Sequence, residues 1–461
     1  MSVILGINTF HAGSSASIIV DGKPIFAVAE ERLNRKKYYA GFPVLSIQAC
    51  LDYTGMKIEN IDYVTVGRDS NANLQEKVKF TLKNPSRLLN LSKIKSARSS
   101  LNDIKSLMSS KMQIPTEKLK FKQINVEHHL AHISSAFFVS KWDRSAGFSC
   151  DGSGDFVTSM MADCFDDKIE IKKRIYVPHS LGSFYTMISE FIGYKKYGDE
   201  GKVMGLSALG EGTYIDQLSD MVQLTKDGFK LNSKYFLPFG SNQGVRITDE
   251  GSMAMTRHFS DEMVKIFGEP RNPEDEISKR DKDLAFSVQH VFENAYLHLL
   301  NLLHKKVPND KISMAGGCVL NSVANGMIFD KTPFTDTCIQ PAAGDDGLSI
   351  GSALYASNVI LKEGNRHEMV DSYLGPDYSD SQIKSELEKK DIKYHKYNEV
   401  ELIEKTSEEI AKGNVVGWFQ GRMEWGPRAL GNRSILCHPG KRDMKDILNS
   451  RIKHRESFRP F

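Results

Sequence analysis

Two histidines spaced four residues apart, His128 and His132, are the side chains of this sequence best suited to chemistry. They lie in residues 126–135, a run without proline or glycine that favours a helix. Residues four apart share one helix face, so the two imidazoles can hold one metal ion, completed by a carboxylate or water. His129 points to another face, and Glu127 precedes the pair, so this is not the H-E-x-x-H motif of zinc proteases. The residues alone leave two interpretations open, a metal site or two ordinary histidines.

Two strand–turn–strand patterns built on small and polar residues lie on either side of this helix in the sequence. The first turn carries His11, and the second, within residues 146–162, carries Asp151, Gly152 and Gly154. Such turns can cradle a phosphate with backbone amides, although the same residue types occur in hairpins without a ligand. The recurrence predicts that one α/β unit is duplicated, with a ligand between the halves. His11 is the unusual residue, because a turn does not need an imidazole.

Three further motifs could complete a nucleotide or metal site. The glycine-punctuated loop around Lys202 could place a cation and backbone amides near phosphate, or could simply begin a helix. Adjacent carboxylates, Asp345 and Asp346, could cap a helix or supply the carboxylate of the two-histidine site. A glycine pair, followed by an asparagine, lies between a predicted strand and a helix and would let a flat ligand such as adenine or ribose approach the backbone: Gly316, Gly317 and Asn321.

Hydrophobic patterns predict the elements that position these motifs. The predicted strands and helices of the first domain are strands at 3–7, 16–20, 23–30, 61–66 and 311–315, and helices at 46–54, 283–305 and 348–355. Amphipathic helices are also predicted around Leu88, Leu89, Leu91 and Ile94, in a lysine-rich stretch best explained by a solvated face. A change of texture predicts a domain boundary, with domains at 1–365 and 366–461.

The second domain is predicted to contain helices at 380–389 and 399–412 and strands at 393–397 and 415–419. These are followed by a block rich in glycine and arginine, residues 420–436, which includes Arg422, Arg428 and Arg433. Guanidinium groups offer a planar fork of donors that suits phosphate. A solvated basic face is the alternative, but the Gly-Pro-Arg punctuation favours an anion pocket.

Composition limits the function classes. The chain has 40% hydrophobic and 26% charged residues, typical of a soluble globular protein of two or three domains. A net charge of +3 argues against a nucleic-acid partner. Six scattered cysteines without a C-x-x-C pair suit a reducing cytoplasm, and neither a signal peptide nor a membrane span is recognisable.

Taken together, these motifs resemble the O-carbamoyltransferase family that includes the nodulation, cephem hydroxymethyl and tobramycin carbamoyltransferases. The resemblance covers essentially the whole chain and rests on the following residues: Gly6-Ile7-Asn8, His11, Glu31-Arg32, Arg35, Phe42-Pro43, His128-His129-Leu130-Ala131-His132, Asp151-Gly152-Ser153-Gly154-Asp155, Gly201-Lys202-Val203-Met204-Gly205, Gly316-Gly317, Asn321, Gly344-Asp345-Asp346-Gly347, Gly421-Arg422, and Gly426-Pro427-Arg428-Ala429-Leu430-Gly431-Asn432-Arg433-Ser434. The last motif is the most specific.

The resemblance implies an α/β fold of two parts. The first is a duplicated actin/Hsp70-like (RNase H-like) domain, and the second an α/β domain similar to threonylcarbamoyl-adenylate synthase. In the family, the second domain converts carbamoyl phosphate and ATP to carbamoyl-adenylate. The first domain, with a metal that is usually iron(II), then transfers the carbamoyl group to a hydroxyl of a small molecule or glycan. Because the chain ends at Phe461 within the basic block while relatives run on, the resemblance predicts a truncated second domain.

By the same resemblance, His128, His132 and Asp345 would bind the metal, and His11 would take the acceptor's proton. The adenosine contacts would come from Gly316, Gly317 and Asn321; the arginine block with Ser434 would hold carbamoyl phosphate and nucleotide phosphates. The first turn departs from the family, since it reads His11-Ala-Gly-Ser-Ser-Ala where relatives often have His-Asp-Ala-Ser.

Two other functions compete with carbamoyl transfer. A tRNA threonylcarbamoyl transferase is disfavoured by the Gly-Pro-Arg block and by the lack of a strongly basic first domain. A non-catalytic nucleotide-dependent binding protein of the actin/Hsp70 fold is disfavoured by the imidazole pair and by His11, since a protein that only clamps ATP needs neither. The oligomeric state, including a homodimer, is left open.

Overall fold

The protein is described by a computed structural model that covers residues 2–83, 101, 103–238, 245–248 and 251–461. It forms two compact units, Met1–Val370 and Asp371–Phe461. The domain boundary expected between residues 365 and 366 stays a prediction. The helices expected around Leu88, Leu89, Leu91 and Ile94 lie outside the described residues.

The first unit alternates strands with helices. Its strands are β1 (Val3–Asn8), β2 (Ser15–Val20), β3 (Lys23–Ala29), β4 (Tyr63–Val66), β5 (Lys122–Asn125), β6 (Arg144–Gly154), β7 (Val157–Phe165), β8 (Lys168–Tyr176), β9 (Val222–Thr225), β10 (Gly228–Leu231), β11 (Val245–Ile247), β12 (Met253–Met255), β13 (Lys311–Ala315) and β14 (Asp336–Ile339). Its helices are α1 (Glu30–Asn34), α2 (Val44–Thr54), α3 (Leu74–Lys83), α4 (Ile104–Met112), α5 (His128–Phe137), α6 (Leu181–Phe191), α7 (Glu200–Leu206), α8 (Ile215–Met221), α9 (Asp261–Phe267), α10 (Lys279–Lys306), α11 (Ser322–Gly326), α12 (Ile328–Lys331) and α13 (Leu348–Tyr355). None of the described helices is both long enough and apolar enough to cross a membrane.

Two five-stranded sheets repeat one topology. The first has the order β3-β2-β1-β4-β5, and the second has the order β8-β7-β6-β13-β14. In each, the first three strands form an antiparallel meander, and the last two run parallel to the central strand. This repeat confirms the predicted α/β fold and the duplication within its first domain. The C-terminal ends of the parallel strands meet at one edge of each sheet, which is where ligands bind in such folds.

Local sequence explains why these strands turn where they do. Asp21 and Gly22 join β2 to β3 with φ values of 50° and 75°, the left-handed pair that a tight two-residue hairpin requires. The first hairpin, β1–β2, ends at the turn that carries His11, and the β6–β7 pairing shifts register between Cys150 and Gly154. Both predicted hairpins are therefore present, and phosphate binding by their turns stays a prediction.

Helices α5 and α13 pack against each other on small residues. Gly351 of α13 lies so close to α5 that any side chain there would overlap the carbonyl of Ala131. On its other side α13 contacts β1, where a side chain at Gly6 would overlap the carbonyl of Ser349. Close backbone approach of this kind requires glycine. It brings the start of α5 and the start of α13 to the same place in the fold.

The second unit is a small α/β arrangement. Its elements are α14 (Asp380–Lys389), α15 (Glu399–Lys412), β15 (Val416–Phe419), β16 (Arg433–Leu436) and α16 (Met444–Ile447). Both long helices begin at reciprocal capping boxes, in which Ser379 pairs with Gln382 and Asn398 pairs with Glu401. The strand predicted at 393–397 is wrong: these residues are exposed and irregular, and no neighbouring strand pairs with them in the described chain. An alternating pattern alone does not make a strand without a partner.

Candidate metal centre and its surroundings

Four side chains from three parts of the first unit converge on one point. His128 and His132 come from the first turns of α5, Asp151 from the end of β6, and Asp345 from the turn before α13. One ligand atom from each lies within 4.8 Å of all the others. The two Nε2 atoms are 3.1 Å apart, and Asp151 Oδ2 lies 3.4 Å and 3.1 Å from those of His128 and His132. Asp345 Oδ1 faces the same pair at 3.6 Å and 3.5 Å.

The burial and the donor types of this cluster fit a bound cation. Both imidazoles are completely buried. Within the described part of the chain, Asp345 Oδ1, which lies 3.6 Å and 3.5 Å from the Nε2 atoms of His128 and His132, has no hydrogen-bond partner. Buried polar groups without partners are rare and costly, so they call for a ligand. Two imidazoles and two carboxylates are a donor set that suits a divalent ion such as iron, manganese or zinc.

The electrostatics of the cluster also favour a positive charge. Burial lowers the pKa of His128. Burial acts in the same direction on His132, but the carboxylates of Asp151 and Asp345 outweigh it and raise its pKa to about 9. Burial alone would raise the pKa of Asp151, yet the two imidazoles hold it well below its usual value. Two carboxylates thus demand a counter-charge, which a proton on His132 or a metal ion can supply.

His129 shows how an ordinary histidine in this helix differs. Its two ring nitrogens contact the hydroxyl of Ser149 at 2.8 Å and the carbonyl of Val157 at 2.9 Å. Burial and the neighbouring imidazoles hold its pKa well below the usual value. His129 is therefore satisfied by the protein itself, as the helical geometry predicted when it separated this residue from the pair.

His11 joins the cluster from the tip of the first hairpin. Its Nδ1 faces Asp345 Oδ2 within hydrogen-bonding distance, and its ring centroid lies 5.5 Å from that of His128. The side chain is 22% exposed, unlike the two buried histidines. Pairing through Nδ1 fixes the ring, so Nε2 is the nitrogen available to accept a proton.

Asp151 and the glycines near it have roles that the sequence did not separate. Asp151 was expected to contact the nucleotide, but the structure places its Oδ2 in the metal-type cluster, while Oδ1 accepts from the amide of Gly152 at 2.6 Å. A side chain at Gly154 would overlap the ring of His128, so this glycine makes room for the cluster. At Gly152 the space is open. The signal for Asp151 was its place at the C-terminal end of a central strand, beside the histidine helix.

The adenosine-binding candidates are packed tightly behind Asp151. Gly316 has a φ of 105° and would overlap the carbonyl of Cys150 if it carried a side chain. A side chain at Gly317 would come within 2.8 Å of Asp151 Oδ1. The side chain of Asn321 exchanges two hydrogen bonds with Gln289, at 3.0 Å and 2.9 Å. These contacts explain the residue types structurally, and nucleotide binding by them stays a prediction.

Lys202 lies on α7. Its Nζ pairs with Asp199 Oδ1 at 2.9 Å and lies over the ring of Tyr194 at 5.4 Å. These interactions do not test whether Lys202 contacts phosphate, so that contact stays a prediction.

Two acidic residues that sequence reasoning missed hold α5 in place. Asp155 Oδ2 accepts from the amide of His128 at 2.9 Å and from that of Asp69 at 2.8 Å. Glu127 receives two bonds from Arg174, at 3.0 Å and 2.7 Å. Anionic groups at a helix N-terminus satisfy its free amides and interact favourably with its dipole. The available signal for Glu127 was its position directly before His128, whereas Asp155 lies in the turn between β6 and β7.

In the second unit, the arginine block is organised around a buried carboxylate, Glu424. Its Oε1 accepts from the amides of Leu430, Asn432 and Arg433, and its Oε2 accepts from Arg433 Nε at 2.7 Å. Burial alone would raise its pKa, but these bonds outweigh it and lower the pKa to about 2. Sequence reasoning missed Glu424 because the surrounding basic residues drew attention to anion binding.

The other candidates of this block differ in how far they are engaged. Arg422 donates to the carbonyls of Leu374 and Gly375, at 2.6 Å and 3.1 Å. Ser434 Oγ accepts from the amide of Gly431 at 3.1 Å. Arg428 is exposed. Arg422, Arg433 and Ser434 thus support the fold of the block, and phosphate binding by any of the four stays a prediction.

The fold and the site define a duplicated α/β protein with a buried cluster of two imidazoles and two carboxylates. The family model described as Carbamoyltransferase N-terminus matches residues 3–354, and the model described as Carbamoyltransferase C-terminus matches residues 407–461. The chain therefore belongs to the carbamoyltransferase family and is an enzyme of that family.

Three relatives illustrate the range of similarity. An uncharacterized protein of Synechocystis sp. is 35% identical over 100% of this chain and 75% of its own length. Nodulation protein NolNO of Sinorhizobium fredii is 32% identical over 98% of this chain and 62% of its own length. The 3'-hydroxymethylcephem-O-carbamoyltransferase of Amycolatopsis lactamdurans is 27% identical over 58% of this chain and 44% of its own length. The chain thus spans only part of the length of each.

Proposed function

We propose that this protein is an ATP-dependent O-carbamoyltransferase. Water would cleave carbamoyl phosphate to carbamate and phosphate, and the carbamate oxygen would attack the α-phosphate of ATP to give carbamoyl-adenylate and pyrophosphate. The carbamoyl group would then pass to a hydroxyl. The observation that carries the proposal is the buried cluster of His128, His132, Asp151 and Asp345 with His11 paired to Asp345. A protein that only clamps a nucleotide has no need of this cluster.

Activation as an adenylate answers a chemical need. A carbamate is a poor acyl donor, whereas its mixed anhydride with AMP has a good leaving group. We assign adenylate formation to the second unit, in which the exposed Arg428 is the candidate for contact with phosphate. Arg422, Arg433 and Ser434 would shape that site from the bonds they already make.

Transfer is assigned to the first unit, with His11 as general base. Asp345 holds His11 through Nδ1, which orients the ring and stabilises the imidazolium formed when Nε2 takes the proton of the acceptor hydroxyl. The deprotonated oxygen would attack the carbamoyl carbon, and AMP would leave. Lys202 and the amides near Gly152 are candidates for holding the phosphate of the adenylate, and Gly316, Gly317 and Asn321 for holding its adenosine.

The cluster would hold one divalent ion, for which we propose Fe(II). His128, His132, Asp151 and Asp345 are the proposed ligands. When bound, such an ion supplies a positive charge that can neutralise the adenylate phosphate or polarise the carbamoyl carbonyl. The chain's own part is to keep the site dry: both histidines are fully buried, which protects a hydrolysable donor from water.

The acceptor is proposed to be a hydroxyl of a small molecule or glycan. This class is supported by family membership and by the relative that carries the name 3'-hydroxymethylcephem-O-carbamoyltransferase. A cytoplasmic location would supply the ATP and the reducing conditions that Fe(II) needs.

The test follows both steps in the same sample. The protein is incubated anaerobically with ATP, carbamoyl phosphate and Fe(II), and carbamoyl-adenylate and pyrophosphate are measured by mass spectrometry. A panel containing 3'-hydroxymethylcephem, simple sugars and an oligosaccharide is then added, and O-carbamoylated products with AMP are sought. Adenylate followed by a carbamoylated acceptor is the expected result. Neither adenylate nor transfer, in folded protein loaded with metal, would contradict the proposal.

A further inference from the structure

Arg68 contacts the tip of the hairpin that carries His11. It follows β4 at the C-terminal edge of the first sheet, and its Nη1 donates to the carbonyl of Phe10 at 3.2 Å. Phe10 has a φ of 54°, in the left-handed region that residues with side chains adopt at a cost. The residue directly before His11 is therefore strained, and its carbonyl is fixed by a guanidinium.

The rest of the hairpin is anchored elsewhere. Asn8 donates to the carbonyls of Ala12 and Gly13, at 3.1 Å and 3.0 Å. The hydroxyls of Thr9 and Ser14 donate to the carbonyl of Gly41. These bonds hold both legs of the turn, and the bond from Arg68 reaches its tip at Phe10.

The same segment also contacts the start of the histidine helix. The amide of Asp69 donates to Asp155 Oδ2, which accepts from the amide of His128 as well. Asn73 donates to Glu127 Oε1 at 2.9 Å and to the carbonyl of Asp155 at 3.1 Å. Residues 68–73 thus connect the His11 hairpin with the element that supplies His128 and His132.

Arg68 is also expensive to keep at this position. Its Nε is buried and has no hydrogen-bond partner in the described part of the chain. Removing a charged donor from water without a partner costs free energy. Lysine would avoid this cost, but it lacks the planar, rigid fork that can reach the Phe10 carbonyl from a fixed direction.

We infer that Arg68 is the positioning residue for His11: it holds the Phe10–His11 tip so that the imidazole stays paired with Asp345. This rests on the proposed function of His11 as general base. Arg68 itself touches neither substrate nor metal in this role. Displacing a base by about 1 Å can cost roughly 100-fold in rate, so a single backbone contact can matter to catalysis.

A double-mutant cycle tests the inference. Arg68→Met, His11→Ala and the double variant are compared for transfer from carbamoyl-adenylate, with Arg144→Met as the control, since Arg144 pairs with Asp163 at the other end of β6. Arg68→Met should lower kcat about 10- to 100-fold and leave KM for the adenylate unchanged. In the His11→Ala background the same change should have no further effect. Losses that multiply, or a raised KM, would show direct contact with the donor and overturn the inference.

A second readout needs no activity. In nitrogen-15 spectra of metal-free protein, Arg68→Met should shift or broaden the imidazole signals of His11 and leave those of His298 unchanged. If Arg68→Met does not fold, the same spectra are recorded for Arg68→Lys, which keeps the positive charge. An unchanged His11 signal would overturn the inference even if wild-type protein proved inactive. If the spectra change while the wild type transfers no carbamoyl group, the proposed function fails and the positioning contact stands.

Discussion

The histidine cluster of the first unit and the arginine block of the second unit differ in how far their buried polar groups are hydrogen-bonded. In the cluster, Asp345 Oδ1 faces the two imidazole Nε2 atoms and is buried without a hydrogen-bond partner in the described chain. In the block, Glu424 receives four bonds and Arg433 is paired with it. The cluster is thus incomplete without a ligand, whereas the central carboxylate of the block, Glu424, is satisfied without one. Residue type alone does not distinguish a ligand site from a structural network; the partners already present do.

The largest expected effect is the loss of one cluster imidazole. His132→Ala should weaken divalent-metal binding by at least about 100-fold and abolish carbamoyl transfer, because it removes a ligand and leaves two carboxylates facing each other. Adenylate formation should persist, since it is assigned to the other unit. Metal affinity is measured by anaerobic titration and both reactions by mass spectrometry.

His298→Gln is the control for that change, because His298 bonds a carbonyl at Thr225 and is not part of the cluster. Loss of adenylate formation in His132→Ala would contradict its assignment to the second unit. Unchanged metal affinity would contradict the role of His132 as a metal ligand.

The next effect concerns the structural carboxylate of the block. Glu424→Gln should lower the free energy of unfolding of the second unit by about 3 kcal/mol at neutral pH, because the pKa falls from 4.5 to about 2 on folding. Since the folded pKa is depressed, this stabilisation is present above pH 4.5 and is lost as the pH falls towards 2. Chemical unfolding followed between pH 7 and pH 3 measures it. A wild-type curve parallel to that of Glu424→Gln would contradict the network.

A matched pair of glycines sharpens the description of the cluster. Gly154→Ala should destabilise the protein by roughly 1–3 kcal/mol and weaken metal binding, because the new methyl overlaps the ring of His128. Gly152→Ala, two residues away and facing open space, should change stability little. Thermal unfolding and metal titration compare the two. Equal effects would mean that the loss of stability comes from any change in the hairpin and not from overlap with the ring of His128.

The smallest effect on stability is expected at the exposed arginine. Arg428→Ala should change the free energy of unfolding by less than about 0.5 kcal/mol, as exposed substitutions usually do. It should nevertheless reduce adenylate formation, if Arg428 holds phosphate. Arg433→Ala serves as the reverse case, since it should unfold the block by leaving Glu424 buried and unpaired. Unchanged adenylate formation in Arg428→Ala would show that Arg428 does not hold phosphate and is an ordinary solvated surface residue.

Local signals in the sequence predicted much of the fold. The helices at 380–389, 399–412 and 348–355 and the strand at 311–315 have the predicted bounds, because caps, glycines and apolar periodicity mark their ends. The segment 393–397 was wrong because strand formation depends on a partner that periodicity cannot reveal. Glu30, the last residue of the strand predicted at 23–30, instead begins α1, is buried and accepts from the amides of Leu45 and Ser46.

The candidate site was predictable only in part. The spacing of His128 and His132 is local, so the helix alone puts them together. Asp151 and Asp345 reach the same point through β6 and the turn before α13, from opposite ends of a long stretch of chain. Tertiary contacts decide which atom of Asp151 faces the cluster. They also pair Glu424 with Arg433, which sequence patterns alone did not indicate. Sequence motifs identify such residues, but only the tertiary structure shows which groups they contact.

The most direct test of the cluster is anomalous diffraction at the iron edge from crystals grown anaerobically with Fe(II). The account predicts one strong peak in the first unit, surrounded by the Nε2 atoms of His128 and His132 and by carboxylate oxygens of Asp151 and Asp345. The same peak should be absent from crystals of His132→Ala. An ion bound elsewhere, or an unoccupied cluster in crystals soaked with Fe(II), would contradict the account.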